Sequence, residues 1–393
     1  MLSRAGILFF AACLCAAGES HWVGTWGCAP QLTETRNLPP APGLANSTLR
    51  QVVHTSLGGR QVRLRFSNTF GADPVTLKAV SLAASAGNGA IRPESLKTIE
   101  FHGATSITIP AGSAVISDTL EYDLAPLMDY AVTISFGDMS NTVVTGHPGS
   151  RSTSYLKTGA AVNAETLPDA ATTAHWYIFT GIDVVADISA AAVVVLGDSI
   201  TDGRGSDTDG NNRWTDNLAR RLLGNPTTKN VGVLNEGLGG NAVLTGGLGP
   251  PAVNRLERDL LGQSSARWLI VMEGVNDIGG GPGSDSVAAD LIAAYQGFIE
   301  TAHAHGVRAY GITILPFGKS MYDSPSHEAA RQAVNAWIRT GGTFDAVLDM
   351  DATVRDPAAP AELLPAYDSG DHLHPSVAGY RKMAEMIDLR LFE

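Results

Sequence analysis

The sequence contains little cysteine, with three residues at positions 13, 15 and 28 of 393. This number is too small for a disulfide scaffold or for a zinc site built from four thiolates. The fold must therefore be stabilised by the burial of apolar side chains. Hydrophobic residues make up 44% of the chain and charged residues 17%. That composition provides a large core and excludes a mainly disordered chain.

Positive charge is also scarce, because 27 Lys and Arg face 39 Asp and Glu, for a net charge of −12. An acidic chain repels phosphate, so we expect no nucleic-acid partner and no anionic-membrane surface. A membrane-spanning helix needs a run of about 20 apolar residues, and the sequence after its N-terminal segment has no such run. We therefore expect no stable membrane insertion.

The N-terminal segment, residues 1–18, reads MLSRAGILFFAACLCAAG. Arg4 precedes an apolar run from Ile7 to Ala17, which small residues follow. This pattern predicts a secretory signal peptide and a secreted, extracellular protein. An N-terminal anchor is the alternative. Cleavage would leave Cys28 as the last cysteine, which we expect to be a buried structural thiol.

A short alternating pattern runs from Trp22 to about Asp187 and predicts an all-β domain over residues 19–187. Segments 51–55 and 61–66, joined at Gly58-Gly59, read as a hairpin. The other strand candidates are 75–82, 106–109, 114–116, 131–136, 154–156 and 177–185. Many short strands without helices are typical of a β-sandwich, here of jelly-roll type. Asn46 begins an N-glycosylation sequon in a loop of this half.

One strand candidate of this half shows strict alternation. Val62, Leu64 and Phe66 alternate with Arg63 and Arg65. The alternation predicts one buried face and one wet face. We expect the two arginines to be solvated charges at a sheet edge.

Residues 188–393 switch to alternating strands and helices. Apolar runs at 191–196, 231–234, 268–272, 309–314 and 346–348 are separated by segments with helical periodicity. The last such helix is marked by Met383, Ala384, Ile387 and Leu391. This alternation predicts a parallel sheet with helices on both faces. Ligands of such sheets bind beyond the carboxyl ends of the strands.

Polar blocks follow four of these strand candidates. They are Gly197-Asp198-Ser199, the segment 235–241 with Gly240, the segment 273–277 with Asn276, and Asp371-His372-Leu373-His374. Each block alone also suits a helix N-cap or a turn. Four such blocks, in order and at the edge where ligands bind, are better explained by one functional site.

The four blocks together supply the groups that acyl transfer needs. Ser199 can act as the nucleophile and His374 as the base, and Asp371 can orient the other imidazole nitrogen. The backbone N–H groups of Ser199 and Gly240 and the side-chain amide of Asn276 can form an oxyanion hole.

The ordered set resembles the blocks of the SGNH hydrolases, also called the GDSL lipase/esterase family. Residues 197–199 resemble the family's first block, Gly240 and Asn276 the second and third, and Asp371 with His374 the DxxH of the last. The resemblance covers roughly residues 190–393. It implies a flavodoxin-like α/β/α sandwich that hydrolyses esters through an acyl-enzyme without a cofactor. The first half looks like the β-rich domain that precedes this domain in some secreted bacterial and fungal members.

Several other residues near the four blocks can have a supporting or a structural role. His372 stands two residues before His374, and we expect it to be a loop residue or a substrate contact. Glu273 and Asp277 flank Asn276 and can fix its loop. Trp214 and Tyr367 can line the pocket, although Trp214 also fits the core of the first helix.

An acidic loop follows the nucleophile block. Asp202, Asp207, Asp209 and Asn211 can suggest calcium, but the EF-hand spacing is not met. We expect a solvated loop and no metal site.

The sequence therefore predicts a secreted serine esterase that acts on small acyl or carbohydrate-linked esters, such as acetyl esters, with no cofactor. A lipase or lysophospholipase is the alternative within the enzyme class, and acyl transfer to an alcohol would use the same residues. A non-catalytic carbohydrate-binding protein is the alternative outside it. The acyl chain length, the alcohol and the oligomeric state are left open by the sequence.

Overall fold

The computed structural model describes residues 20–280 and 285–393. The proposed signal peptide, residues 1–18, lies outside them. The first half is built from short strands. They are β1 Ser20–Gly27, β2 Gln31–Leu32, β3 Ser47–His54, β4 Gly59–Ser67, β5 Val75–Gly87, β6 Ala90–Ile91, β7 Lys97–Ile99, β8 Ile107–Ile109, β9 Ala114–Ile116, β10 Leu120–Leu124, β11 Asp129–Phe136, β12 Thr145–His147, β13 Ser154–Thr158, β14 Ala171–Thr173, β15 Trp176–Tyr177 and β16 Phe179–Asp187.

Two antiparallel sheets dominate this half. One has the order β1-β16-β4-β10, with β9 also paired to β4, and the other has the order β14-β13-β3-β11-β5-β6, with β7 and β8 also paired to β5. Most of the buried apolar side chains of both sheets belong to one cluster. Cys28 is buried within that cluster, as the sequence predicts, and burial raises the pKa of its thiol. The first half is therefore strand-rich with a shared core, and the jelly-roll topology stays a prediction.

The expected hairpin between β3 and β4 is wrong, because these strands lie in different sheets. β3 pairs with β11 and β13, whereas β4 pairs with β16, β10 and β9. The connecting residues are held elsewhere. Ser56 Oγ donates to Thr25 O at 2.7 Å and accepts from Val233 N at 3.0 Å. Leu57 N donates to Thr25 Oγ1 at 2.9 Å. These bonds direct the chain from one sheet to the other instead of into a tight turn.

The second half contains a five-stranded parallel sheet with the order β18-β17-β19-β20-β21. Its strands are β17 Ala191–Gly197, β18 Val231–Gly237, β19 Ala266–Met272, β20 Arg308–Ile312 and β21 Ala346–Leu348, and a short antiparallel pair, β22 Arg355–Asp356 and β23 Ala359–Leu363, follows. The helices are α1 Ser199–Asp202, α2 Trp214–Leu223, α3 Val275–Gly280, α4 Asp285–Ala304, α5 Pro325–Thr340, α6 Met350–Val354 and α7 Val377–Met386. In chain order the sheet reads two-one-three-four-five, which is the flavodoxin-like arrangement.

The helices form two groups, with α2 contacting α7 and α4 contacting α5. The last helix is shorter than its apolar pattern predicts. α7 ends at Met386, and Leu389–Phe392 form a 3₁₀ turn that the Asp388 side chain caps at Arg390 N. Within the part of the chain described, none of the helices is long and apolar enough to cross a membrane.

The two halves are joined by buried contacts. A Cβ added at Gly24 would lie 2.7 Å from Leu234 Cδ1, so β1 approaches β18 closely at this point. Arg63 and Arg65 both pair with Asp183, each at 2.8 Å, and both donate to Ser264 Oγ in the second half. The expectation of solvated edge arginines is therefore wrong, because the buried carboxylate of Asp183 requires partners.

A second buried pair connects the halves next to α1. His147 Nε2 lies 3.0 Å from Asp202 Oδ1, and His147 Nδ1 lies 2.8 Å from Ala29 O. Both ring nitrogens lie within hydrogen-bond distance of oxygen atoms, so the ring links Ala29 of the first half to Asp202 of the second. Asp202 is thus buried in the junction and is not part of a solvated loop. Asn211 also bonds the first half, through Asp129 Oδ1 at 3.0 Å.

We expect Gly149→Ala to destabilise the protein. A Cβ at Gly149 would lie 1.6 Å from Asp202 Oδ2, and His147 holds that carboxylate from the other side. The expected loss in free energy of unfolding is about 1–3 kcal/mol, the usual cost of overpacking. Chemical denaturation measures it. Gly297→Ala is the matched control, because a Cβ there has no heavy atom within 4 Å. Equal stability of the two variants would contradict the expectation.

Candidate functional site

Ser199 lies directly after β17, at the carboxyl edge of the parallel sheet. Asp198 begins α1 by accepting a hydrogen bond from Ile200 N at 2.9 Å, as expected for an N-cap. Burial raises the pKa of Asp198 to about 7, and its bond from Ile200 N opposes that shift. The turn presents Ser199 Oγ at 2.8 Å from His374 Nε2.

His374 is held by the loop that follows β23. Asp371 Oδ2 lies 2.7 Å from His374 Nδ1, and Asp371 Oδ1 accepts from His374 N at 2.9 Å. Burial alone would raise the pKa of Asp371, but the hydrogen bonds from His374 lower it to about 2. Burial lowers the pKa of His374, Asp371 opposes this effect, and the positive charges of Arg204 and Arg151 add to it. The His374 ring therefore stays neutral at a lower pH than an ordinary histidine ring does.

Gly240 and Asn276 border the same cleft as Ser199 and His374. Gly240 has a φ of +74°, a left-handed conformation that glycine adopts without strain. Asn276 Nδ2 donates to Asn241 O at 2.7 Å, and its Oδ1 accepts from Tyr322 Oη at 3.0 Å. One amide hydrogen is thus engaged by the loop after β18, and the second is available to a ligand.

The structure therefore brings together all five residues that the sequence singles out, and it adds Tyr322. This tyrosine follows β20, the strand after which the sequence predicts no site residue. The same rule about carboxyl ends of parallel strands would have found it.

One guanidinium, that of Arg255, ties these strand ends together from behind. Arg255 donates to Gly197 O at 3.0 Å and to Glu236 O at 2.7 Å, at the ends of β17 and β18. It also donates to Asn241 Oδ1 at 3.0 Å, next to Gly240. The positions of Ser199 and Gly240 are thereby linked.

Two buried carboxylates pair with this guanidinium. Asp259 and Glu273 each lie 2.9 Å from the Arg255 guanidinium. Burial raises the pKa of Glu273, and Arg255 counteracts that shift. Asp277 fixes the neighbouring loop, accepting from Val243 N at 2.8 Å and Leu244 N at 2.9 Å. Glu273 and Asp277 thus support the loops around Asn276, as expected, but through different partners.

Other sequence candidates lie away from the five residues. His372 turns to Asp368 at 2.6 Å. Trp214 is fully buried in the core of α2, and Tyr367 lies beside Val377 and Arg381 rather than in the cleft. Within the described residues, 20–280 and 285–393, no group of three or more His, Cys, Asp or Glu is arranged to hold a metal ion.

The cleft encloses about 580 Å³ and lies at the junction of the two halves. Residues from the first half form one wall. They are Gln31, Glu34, Arg36, Asn37, Pro148, Gly149, Arg151 and His175. On the opposite wall, Leu248, Met321 and Leu373 supply apolar surface.

Comparisons with solved structures return proteins of similar description. A member of the lipolytic protein G-D-S-L family from Veillonella parvula DSM 2008 is 22% identical over 50% of this chain and 96% of that one, with a TM-score of 0.39. A GDSL-like lipase from Bacteroides thetaiotaomicron VPI-5482 is 17% identical over 50% and 84%, with a TM-score of 0.37. An acetyl xylan esterase from Geobacillus stearothermophilus is 21% identical over 50% and 94%, with a TM-score of 0.38.

None of the curated proteins compared with the chain matches it. At the level of families, residues 195–382 match the GDSL-like Lipase/Acylhydrolase family. That range begins within β17, ends within α7 and contains all five residues of the cleft described above. The C-terminal half of this chain is therefore a GDSL-like lipase/acylhydrolase domain.

Proposed function

We propose that the protein is a secreted serine ester hydrolase that acts on small acyl or carbohydrate-linked esters through an acyl-enzyme. The observation that carries the proposal is the continuous hydrogen-bonded chain of Asp371, His374 and Ser199, with contacts of 2.7 and 2.8 Å. A nucleophile, a base and an orienting carboxylate in this order form the arrangement that activates a serine hydroxyl.

The mechanism begins with attack of Ser199 Oγ on the ester carbonyl carbon while His374 Nε2 takes the hydroxyl proton. Asp371 holds the Nδ1 proton and stabilises the imidazolium. The N–H groups of Ser199 and Gly240 and the Asn276 amide stabilise the oxyanion. His374 then protonates the leaving alcohol. In the second half, His374 deprotonates water, which attacks the acyl-enzyme and releases the acid.

The chemistry of the cleft favours short acyl groups and polar alcohols. Most side chains of its lining are polar or charged, and the aliphatic ones are Leu248, Met321 and Leu373 with Pro148. A long acyl chain would gain free energy only from a continuous apolar channel. The lipase alternative therefore has less support than an esterase of acetyl-type or sugar-linked esters.

Secretion is part of the proposal. The segment 1–18 has the pattern of a signal peptide, and Asn46 of the sequon is exposed on the surface. An exposed asparagine is accessible for glycosylation in a secreted chain.

Ser199→Ala should abolish ester hydrolysis. Without the hydroxyl no acyl-enzyme forms, and we expect kcat for p-nitrophenyl acetate to fall at least about 10⁴-fold. Ser106→Ala, an exposed serine outside the cleft, is the control and should retain the rate. Circular dichroism should show both variants folded. A folded Ser199→Ala variant with an unchanged rate would contradict the proposal.

Activity should persist at lower pH than an ordinary histidine allows. Burial lowers the pKa of His374, with Arg204 and Arg151 adding to the effect and Asp371 opposing it. The neutral base is therefore present above a pKa that lies below about 6.5, and kcat/KM should fall only as the pH drops through that lower value.

The Arg204→Gln variant tests the direction in which Arg204 shifts the pKa of His374. Removal of a positive charge near the ring should move the acid limb of the kcat/KM profile to higher pH. A limb that stays in place or moves to lower pH would contradict the electrostatic assignment.

The dependence on acyl chain length should be flat or falling. A p-nitrophenyl ester series from acetate to palmitate measures kcat/KM for each length. An enzyme with a long apolar channel would gain about 0.8 kcal/mol for each buried methylene. A steady increase from acetate to octanoate would therefore favour the lipase alternative.

A further inference from the structure

Arg151 enters the cleft from the first half of the chain on a rigid backbone. Its φ is +48°, in the left-handed region that arginine seldom adopts. Hydrogen bonds fix this conformation on both sides. Asp209 N donates to Arg151 O at 2.9 Å, and Ser150 Oγ donates to Ser152 O at 2.8 Å. Strained backbone held this firmly often marks a functional position.

The Arg151 side chain has no partner of its own in the described parts of the chain. Its Nε is buried without a hydrogen-bond acceptor, and no described carboxylate lies within ion-pair distance. A buried donor without an acceptor is costly, and for a charged group the cost is higher. The arrangement suits a guanidinium whose hydrogen-bond acceptor is a bound ligand.

The carboxylates bordering the cleft are already engaged. Glu34 accepts from Gln31 at 2.5 Å and Asn37 at 2.9 Å. Asp202 faces His147, and Asp371 faces His374. None of these groups neutralises Arg151, so its charge remains directed at the cleft that also contains Ser199 and His374.

We propose that Arg151 binds a carboxylate of the substrate, so that the preferred substrates are esters carrying a carboxylate near the scissile bond, such as O-acylated acidic sugars. The planar fork of a guanidinium matches the two oxygens of a carboxylate. This inference rests on the proposed esterase function and specifies its substrate class. Arg151 acts in binding and takes no part in proton transfer.

Two matched substrate pairs test the inference. In 4-acetoxybenzoate and 4-acetoxybenzamide, the charge is present or absent on the alcohol side. In mono-4-nitrophenyl succinate and 4-nitrophenyl butyrate, it is present or absent on the acyl side. kcat/KM is measured at pH 8, where His374 is neutral, for the full chain and for Arg151→Gln, Arg151→Lys and Arg92→Gln. Arg92 is an exposed arginine of the same half outside the cleft.

The unmodified protein should prefer the anionic ester of at least one pair. Arg151→Gln should reduce that preference about 10- to 100-fold, mainly through KM, since a charged hydrogen bond is lost. Arg151→Lys should retain part of the preference, and Arg92→Gln all of it. The neutral ester of each pair corrects for any general loss of activity.

Two results would overturn the inference: no preference for either anionic ester in the unmodified protein, or an unchanged preference in Arg151→Gln. The proposed function is tested separately by Ser199→Ala. An inactive Ser199→Ala variant together with an unchanged preference in Arg151→Gln rejects only the role of Arg151. An active Ser199→Ala variant rejects the esterase itself.

Discussion

The geometry of the site depends on the buried guanidinium of Arg255. The ends of two neighbouring strands converge on it, through Gly197 O of β17 and through Glu236 O and Asn241 Oδ1 at and just after the end of β18. A charge without water must be paired, and Asp259 and Glu273 supply that pairing. Removing one partner of such a network leaves an uncompensated charge, at a typical cost of about 3–5 kcal/mol. The network therefore specifies one arrangement of the loops that carry Ser199 and Gly240.

The electrostatics of the cleft follow from burial combined with local pairing. Asp371 stays ionised because the ring and backbone of His374 donate to it, and its pKa is about 2. His374 stays neutral because burial disfavours its charged form, and the cleft arginines reinforce that preference. The pKa values of Asp371 and His374 are thus both lowered. An ionised carboxylate beside a neutral imidazole is the pair of states that an orienting group and a base require.

Much of this arrangement follows from the sequence, because the strand ends of a parallel sheet converge whatever the loops do. Ser199, Gly240, Asn276, Asp371 and His374 are identifiable from the order of the polar blocks and from their positions after the predicted strands. The hairpin was wrong because register in the first half is decided by long-range bonds, such as Ser56 to Val233, that local pattern does not encode.

The expectation for the two arginines of β4 is wrong for a related reason. Alternation indicates which side chains point away from the core of one sheet, but not what packs against that face. Arg63 and Arg65 point away from the core and contact Asp183 and Ser264 at the junction of the two halves. Arg255 and Arg151 carry no local signal at all, since their roles arise from tertiary packing.

The first half is more than an attached module, because the turn that carries Ser199 depends on it. α1 has four residues, too few to be stable in isolation. Asn235 donates to Thr201 O at 2.7 Å from within the second half, and Asp202 is paired with His147 across the junction. The chain segment that carries His147 also carries Arg151, which borders the cleft. The residues proposed for chemistry therefore belong to one half, while part of their support and the proposed recognition of substrate charge come from the other.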